Sequence, residues 1–192
     1  MFIKDWKKDV FTIPNLISMI RLALIPVYIY IYLNATQTRD YYIAGGILVV
    51  SCLTDMIDGQ IARKFHMTST LGKLLDPIAD KLTQLALIVC LSIQYPLLRV
   101  SLLLLLCKEL FQAIAASIMF RRGKALPGAI LPGKICTTVL FLSFIVMVLV
   151  PEMDLWIANT IATVDAIFLA YAFISYIFAF FGKNSKVEDF EG

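Results

Sequence analysis

Four aspartates lie in and beside apolar stretches that are long enough to cross a membrane. Asp55 and Asp58 are three residues apart, and Asp76 and Asp80 are four residues apart. Residues at these spacings share one face of a helix, and a carboxylate at membrane depth costs about 2.5–3.5 kcal/mol on translocon scales. Two such helices facing each other would form a cage of hard oxygen ligands. The spacing therefore predicts a site for one or two divalent cations.

Small and basic residues accompany the carboxylates at fixed positions. Gly59 lets a ligand approach the backbone, and Arg63 offers a guanidinium fork to phosphate oxygens. Magnesium fills much of its shell with phosphate oxygens, so we predict two Mg²⁺ or Mn²⁺ ions that neutralise a diphosphate. Structural ion pairs with neighbouring basic residues are the alternative, but they do not require the small residues. The full pattern reads Asp55-x2-Asp58-Gly59-x2-Ala62-Arg63-x8-Gly72-x3-Asp76-x3-Asp80.

The composition excludes an ordinary soluble domain. Of the 192 residues, 60% are apolar, whereas about 45–50% is usual. The predicted fold is an all-α integral membrane bundle of six transmembrane helices, with residues 1–192 as a single membrane domain. A span needs about 20 mostly apolar residues, and six segments meet that length: 13–33, 41–62, 72–95, 98–120, 129–150 and 155–181.

The two ends of the chain differ from this bundle. Residues 1–12 mix apolar side chains with three lysines, a pattern typical of a short amphipathic helix on the bilayer surface. A frayed terminus is the alternative for this segment. Residues 13–181 hold the six predicted spans, and residues 182–192 form a polar tail.

The distribution of lysine and arginine predicts the orientation in the membrane. Six spans place both termini on one side, and cytoplasmic loops are enriched in basic residues. Both termini and the aspartates are therefore predicted to face the cytoplasm, in a membrane of the bacterial cell type. The basic residues on this side include Lys4, Lys7, Lys8, Arg63, Lys64, Lys73, Arg121, Arg122, Lys124, Lys183 and Lys186.

The pattern of aspartates, glycines, alanine and arginine resembles the signature of the CDP-alcohol phosphotransferases, which are integral membrane enzymes of phospholipid synthesis. All eight fixed positions from Asp55 to Asp80 match, and the six-span layout is similar. The resemblance implies that a phosphatidyl group moves from CDP-diacylglycerol to the hydroxyl of an alcohol, and that CMP leaves. It also implies a homodimer among membrane lipids, and no nucleic acid partner is expected.

The resemblance further implies roles for individual residues. Asp80 would complete the metal site and act as general base, because a hydroxyl is a weak nucleophile that needs a positioned base. The leaving CMP gains negative charge, which calls for metal and arginine. The principal metal ligands would be Asp55, Asp58 and Asp76. The CDP moiety would be held by Gly59, Arg63 and Ser69.

Two further segments narrow the choice of acceptor. Residues 13–21 and 75–81 resemble those of phosphatidylglycerophosphate synthases and of CDP-diacylglycerol-type cardiolipin synthases. We predict glycerol 3-phosphate as the acceptor. Phosphatidylglycerol is the alternative, because Lys108-Glu109 and Ala116 stand where the former enzymes usually carry Arg-Glu and a second arginine. The acceptor would be bound by Lys108, Arg121, Arg122 and Lys134.

Other polar residues of the spans have open alternatives. Asn15 and Arg21 are expected to lie behind the metal ligands, with Arg21 either pairing with a carboxylate of the cluster or reaching the cytoplasmic surface. Lys108 and Glu109 have the alternative of an intramembrane ion pair, and Asp165 is expected to be structural or to lie at a subunit interface. A membrane transporter is the alternative of a different class, although neither repeats nor paired broken helices support it.

Overall fold

The computed structural model describes residues 13–64, 72–121 and 130–181, and within these ranges the chain forms six helices and no strand. Each helix begins and ends within a few residues of its predicted span, so the predicted helix positions are confirmed. Apolar runs set these lengths. The helices are α1 (Ile13–Leu33), α2 (Thr38–Lys64), α3 (Gly72–Gln94), α4 (Leu98–Arg121), α5 (Leu131–Leu149) and α6 (Leu155–Phe181).

Three of the helices are long and apolar enough to cross a membrane. They comprise Leu98–Met119 of α4 and the whole of α5 and α6. The part of α1 whose side chains are described, Ser18–Leu33, is a shorter apolar helix. Charged residues of the aspartate pattern lie in α2 and α3 and lower their apolar character. The chain is therefore an integral membrane protein, and the count of six spans stays a prediction.

Some predicted features lie outside the described residues. They are the surface helix over residues 1–12 and the polar tail over residues 182–192.

The described chain divides into two compact units. The first unit ends at Cys90 and also includes Ile145–Glu152. In it α1 packs against α2, whose Ala44 and Leu48 are buried. A Cβ at Gly45 would lie 3.1 Å from the Leu149 side chain, so this glycine allows a close helix contact of the kind that small residues give in membranes.

The second unit consists of Leu91–Phe144 and the chain from Met153 onward. In it α4 packs against α6, and Ser101 Oγ donates a hydrogen bond of 3.1 Å to the carbonyl of Ala162. Phe111 of α4 meets the rings of Phe173 and Phe180 edge to face. The buried residues of α6 recur every three or four positions and so form one face: Ala158, Ala162, Asp165, Leu169 and Ala172.

The start of α2 is fixed by an exposed carboxylate that precedes the predicted span. Asp40 accepts hydrogen bonds from the backbone N–H groups of Thr36 and Gln37 at 3.0 and 3.1 Å. These backbone hydrogen bonds hold the pKa of Asp40 below its usual value, since they favour the charged form. Nearby, the Thr38 hydroxyl donates to Glu152 at 2.7 Å, which ties the beginning of α2 to the end of the first unit.

Candidate functional site

The two pairs of aspartates lie on helices, as their spacing predicted. Asp55 and Asp58 belong to α2, and Asp76 and Asp80 belong to α3. Of the four, Asp80 is the one whose side chain the structure describes. Gly59 and Arg63 lie in the last turns of α2. The side chains of Asn15, Asp55, Asp58, Arg63 and Asp76, and the whole of Ser69, lie outside the described part of the chain.

An ion pair between α1 and α3 positions the described carboxylate. The Nη1 atom of Arg21 donates to Oδ1 of Asp80 at 2.6 Å, across 59 residues of sequence. The Arg21 side chain is 4% exposed, whereas that of Asp80 is 51% exposed. A buried guanidinium requires a charged partner, so Arg21 pairs with a carboxylate of the aspartate cluster, as one of its two sequence alternatives predicted. Arg21 thus holds the Asp80 carboxylate while about half of the Asp80 side chain stays accessible, at 51% exposed.

The donor chemistry of this region fits a hard divalent cation. Carboxylates are ligands that Mg²⁺ and Mn²⁺ prefer. Asp80 is accessible and is held in place by a buried, hydrogen-bonded arginine, which is how proteins orient metal ligands. The Asp80 side chain is therefore suited to contribute one oxygen ligand. Asp55 and Asp58 on α2 and Asp76 on α3 have a spacing that suits them to contribute further oxygen ligands.

A small cavity, lined mostly by apolar side chains, lies one helical turn from the aspartates along α2 and α3. Thr83 follows Asp80 by three residues and Ser51 precedes Asp55 by four, and together with Tyr28 they line a space of about 10 Å³. The Tyr28 hydroxyl is buried and has no hydrogen-bond partner among the described residues. A space of this size holds about one water molecule when polar groups surround it. Three hydroxyl groups, of Tyr28, Ser51 and Thr83, therefore line an otherwise apolar cavity.

An apolar groove runs along α1 and α3 from the level of the ion pair. Its residues begin immediately after Arg21 on α1 and shortly after Asp80 on α3. The groove has a volume of about 310 Å³ and is open to the outside of the unit. Because its walls are aliphatic, it suits a hydrocarbon chain. Its lining residues are Leu22, Ile25, Pro26, Ile29, Leu82, Leu85, Ala86 and Val89.

A second polar cluster lies in the second unit and centres on the buried Lys108. Its Nζ atom donates to Glu109 at 2.6 Å and to Gln112 at 3.3 Å, and it lies 6.0 Å from the centre of the Tyr176 ring. The ion pair that the sequence left open as an alternative is thus present, and it is local to α4. Among the other predicted acceptor residues, Arg121 and Lys134 are exposed, and Arg122 lies outside the described residues.

Asp165 is a fully buried carboxylate in the second unit. It is 0% exposed and accepts a hydrogen bond of 2.8 Å from the Ser143 hydroxyl through Oδ1. Its Oδ2 has no hydrogen-bond partner in the described part of the chain. A side chain enclosed by its own unit is not available to a subunit interface, so the geometry favours the structural role.

Comparison with known proteins identifies the family. The profile of the family described as CDP-alcohol phosphatidyltransferase matches residues 11–180, which covers nearly all of the described chain. The protein therefore belongs to the CDP-alcohol phosphatidyltransferase family, as its aspartate pattern predicted. Members of this family generally use divalent metal ions and act on CDP-diacylglycerol and an alcohol acceptor.

Individual relatives carry two different names. The chain is 32% identical to the cardiolipin synthase (CMP-forming) of Streptomyces coelicolor over 174 residues, which cover 88% of this chain and 80% of that protein. It is 31% identical to a putative cardiolipin synthase of Mycobacterium tuberculosis over 171 residues, which cover 89% and 80%. A CDP-diacylglycerol–glycerol-3-phosphate 3-phosphatidyltransferase of Rickettsia bellii is 38% identical over 99 residues, which cover 50% and 53%.

These matches establish the chain as a membrane-bound transferase of phospholipid biosynthesis that transfers a phosphatidyl group from a CDP-linked lipid to an alcohol. The names of these relatives cover both activities that the sequence analysis considered.

Proposed function

We propose that this protein transfers the phosphatidyl group of CDP-diacylglycerol to phosphatidylglycerol and releases CMP, forming cardiolipin. The extent of the sequence match carries this choice, because the relatives named cardiolipin synthase align over four-fifths of their own length. The Lys108-Glu109 pair and Ala116 point the same way, since they depart from the arginines usual in phosphatidylglycerophosphate synthases.

Glycerol 3-phosphate is the second candidate acceptor. The relative from Rickettsia bellii that carries the corresponding name has a higher identity, although over half of the chain. Both acceptors present a free hydroxyl and a phosphate group, so both require the same two things from the protein. One is a base for the hydroxyl, and the other is positive charge for the phosphate.

The donor site is proposed to consist of the aspartate pattern. Asp55, Asp58, Asp76 and Asp80 would hold two divalent ions, Mg²⁺ or Mn²⁺, which when bound would neutralise the diphosphate of the donor. The CDP moiety is proposed to be held by Gly59, Arg63 and Ser69, with the Arg63 guanidinium on phosphate oxygens. Asn15 is proposed to lie behind these residues.

Asp80 is proposed to be the general base. The acceptor oxygen forms a bond to the phosphorus of the phosphatidyl group, the bond from that phosphorus to the CMP oxygen breaks, and the acceptor proton passes to the Asp80 carboxylate. Support comes from the accessible side chain of Asp80 and from Arg21, which bonds Oδ1 and fixes the orientation of the carboxylate. Positioning of this kind is a large part of catalysis in phosphoryl transfer.

The lipid nature of the donor is supported by the apolar groove along α1 and α3. A groove of about 310 Å³ with aliphatic walls suits part of an acyl chain, and it begins near the ion pair of Arg21 and Asp80. The donor tails would then stay at membrane depth while the headgroup reacts. We also propose six spans, a homodimer, and a cytoplasmic location for both termini and the aspartates, following the distribution of basic residues.

A product assay tests the proposal. Purified protein in detergent or vesicles receives CDP-diacylglycerol, Mg²⁺ and either phosphatidylglycerol or glycerol 3-phosphate, and mass spectrometry follows the lipid products together with CMP. We expect cardiolipin and CMP in the first reaction. If the only lipid product were phosphatidylglycerophosphate, formed in the second reaction, then glycerol 3-phosphate and not phosphatidylglycerol would be the acceptor. No CMP with either acceptor would contradict the proposed reaction and would favour the transporter alternative.

A further inference from the structure

The ammonium group of Lys108 is held from three sides. It carries three N–H donors, of which one bonds Glu109 at 2.6 Å and one bonds Gln112 at 3.3 Å. The ring of Tyr176 lies 6.0 Å from Nζ, within the range of a cation–π contact. Among the described residues no further acceptor bonds this group. Of the three donors of this buried cation, two are therefore bonded within the described residues.

The ring of Tyr176 lies against α5, and phenylalanines near it on α6 pack on α4. A Cβ at Gly133, in the first turn of α5, would lie 2.9 Å from Cε2 of Tyr176 and would also overlap the phenol hydroxyl. The ring occupies this place because residue 133 is glycine. On α6, Phe173 precedes Tyr176 by three residues and Phe180 follows by four, and both pack on Phe111 of α4. The ring, carried by α6, therefore lies against Gly133 of α5 and 6.0 Å from the ammonium of Lys108 on α4.

A purely structural ion pair would not need this arrangement. Lys108 and Glu109 are neighbours on α4 and form an ion pair of 2.6 Å within that helix. Buried ionisable groups in membrane helices usually mark function, and the contacts from α5 and α6 constrain the direction of the ammonium group rather than its charge.

We propose that Tyr176 is a positioning residue for the acceptor, acting through Lys108. Its ring, seated on Gly133, directs the remaining N–H of Lys108 toward the phosphate of the acceptor. This inference rests on the proposed function. The phosphate is common to phosphatidylglycerol and glycerol 3-phosphate, so the same contact serves either acceptor, as a charge-assisted hydrogen bond.

Steady-state kinetics of the full-length protein test this role. Acceptor and CDP-diacylglycerol are varied separately for the wild type, Tyr176→Leu and Tyr176→Phe, in parallel series with phosphatidylglycerol and with glycerol 3-phosphate. We expect Tyr176→Leu to raise the acceptor KM about tenfold, with kcat and the KM for CDP-diacylglycerol within about twofold of wild type. Tyr176→Phe keeps the ring and should stay within about twofold in all three parameters. An unchanged acceptor KM in Tyr176→Leu would overturn the inference.

The Gly133→Ala variant is a second and independent test of the position of the Tyr176 ring, because it retains the phenol but displaces it. We expect it to raise the acceptor KM by a similar factor. In the double variant Gly133→Ala/Tyr176→Leu the clash is absent, so the acceptor KM should equal that of Tyr176→Leu alone. If the two substitutions raised the acceptor KM multiplicatively in the double variant, the proposed contact between Gly133 and the Tyr176 ring would be contradicted. A wild type inactive with both acceptors overturns the proposed function and this inference together, whereas an active wild type with an unaffected Tyr176→Leu overturns this inference alone.

Discussion

Each of the two units pairs a basic side chain with a carboxylate, but the two pairs differ in how far apart their residues lie in the sequence and in how exposed the carboxylate is. In the first unit the base is buried and the acid is accessible, because Arg21 is 4% exposed and Asp80 is 51% exposed. The two residues come from different helices. In the second unit Lys108 and Glu109 are neighbours on α4, and the base is again buried. The carboxylate of the long-range pair is 51% exposed, whereas the carboxylate of the local pair is 26% exposed.

The comparison extends to a third carboxylate. Asp80 is paired with a guanidinium and accessible, whereas Asp165 is fully buried and bonded to the hydroxyl of Ser143. A carboxylate that must bind a metal or take a proton has to reach solvent or substrate. One that is enclosed among apolar side chains serves the packing of its unit. Both residues are aspartates, so residue type does not distinguish the binding role from the packing role. The exposure of the carboxylate and the group it bonds do distinguish them.

The largest expected effect is on Asp80. The change Asp80→Asn removes the proposed base and a metal ligand while keeping the shape, so CMP release should fall by roughly 10²–10⁴-fold. Asp40→Asn is the matched control, because it makes the same change at an exposed carboxylate of the same unit, and its activity should match wild type. Activity of Asp80→Asn within twofold of wild type would remove Asp80 as the base.

Arg21 comes next, because it acts on the reaction through Asp80. Arg21→Met leaves the carboxylate without the 2.6 Å contact, and the loss of such a supporting contact typically lowers activity or metal affinity by about 10–100-fold. Arg21→Lys keeps a charge but not the guanidinium fork, so it should fall between Arg21→Met and the wild type. Titration of CMP release with Mg²⁺ measures both. Equal activity of all three proteins would show that the pair is not needed for the reaction.

Asp165 should affect stability rather than activity. In Asp165→Leu a buried carboxylate with one oxygen unbonded among the described residues gives way to an apolar side chain. We expect the free energy of unfolding to rise by about 1–3 kcal/mol and CMP release to stay within twofold. Ser143→Ala is the companion variant and should lower stability by about 1 kcal/mol. Denaturation in detergent checks both values. A large loss of activity in Asp165→Leu would show that Asp165, like Asp80, is needed for the reaction, and would contradict its structural role.

The smallest expected effect concerns Asp40 and pH. Backbone hydrogen bonds lower its pKa from 3.8, so the folded form binds its proton less readily than the unfolded form. Its contribution to stability is therefore present above about pH 4 and is lost as pH falls through the lower, folded pKa. Asp40→Asn should lower the thermal midpoint by an amount of order 1 °C at pH 7, and the difference from wild type should vanish in acid. A difference that grows in acid would contradict this sign.

The sequence was sufficient to predict the helices, and it included the first unit's ion pair as one of two alternatives for Arg21. Apolar runs determine where helices of this length begin and end, so their positions needed no tertiary information. Arg21 is a lone cation inside an apolar segment, and burial of a cation demands an acid. The nearest acids by pattern were the aspartates, and Asp80 is the observed partner.

Sequence reasoning did not find the contacts of Tyr176, Tyr28 and Ser143. α6 carries many aromatic residues at similar spacing, so periodicity does not say which ring meets Lys108. The structure gives a packing reason for the glycine at position 133, since a Cβ there would overlap the Tyr176 ring. The cavity beside Tyr28 and the bond from Ser143 to Asp165 depend on how separate helices dock, which one-dimensional spacing does not encode.

Metal dependence of CMP release is the most direct measurement of the central claim that the aspartates hold divalent ions at a CDP-lipid. Purified protein turning over CDP-diacylglycerol and phosphatidylglycerol is treated with EDTA and then titrated with Mg²⁺ or Mn²⁺. The account predicts that CMP release falls to background with the chelator and returns as either ion is added. Release that continues unchanged in EDTA would contradict it.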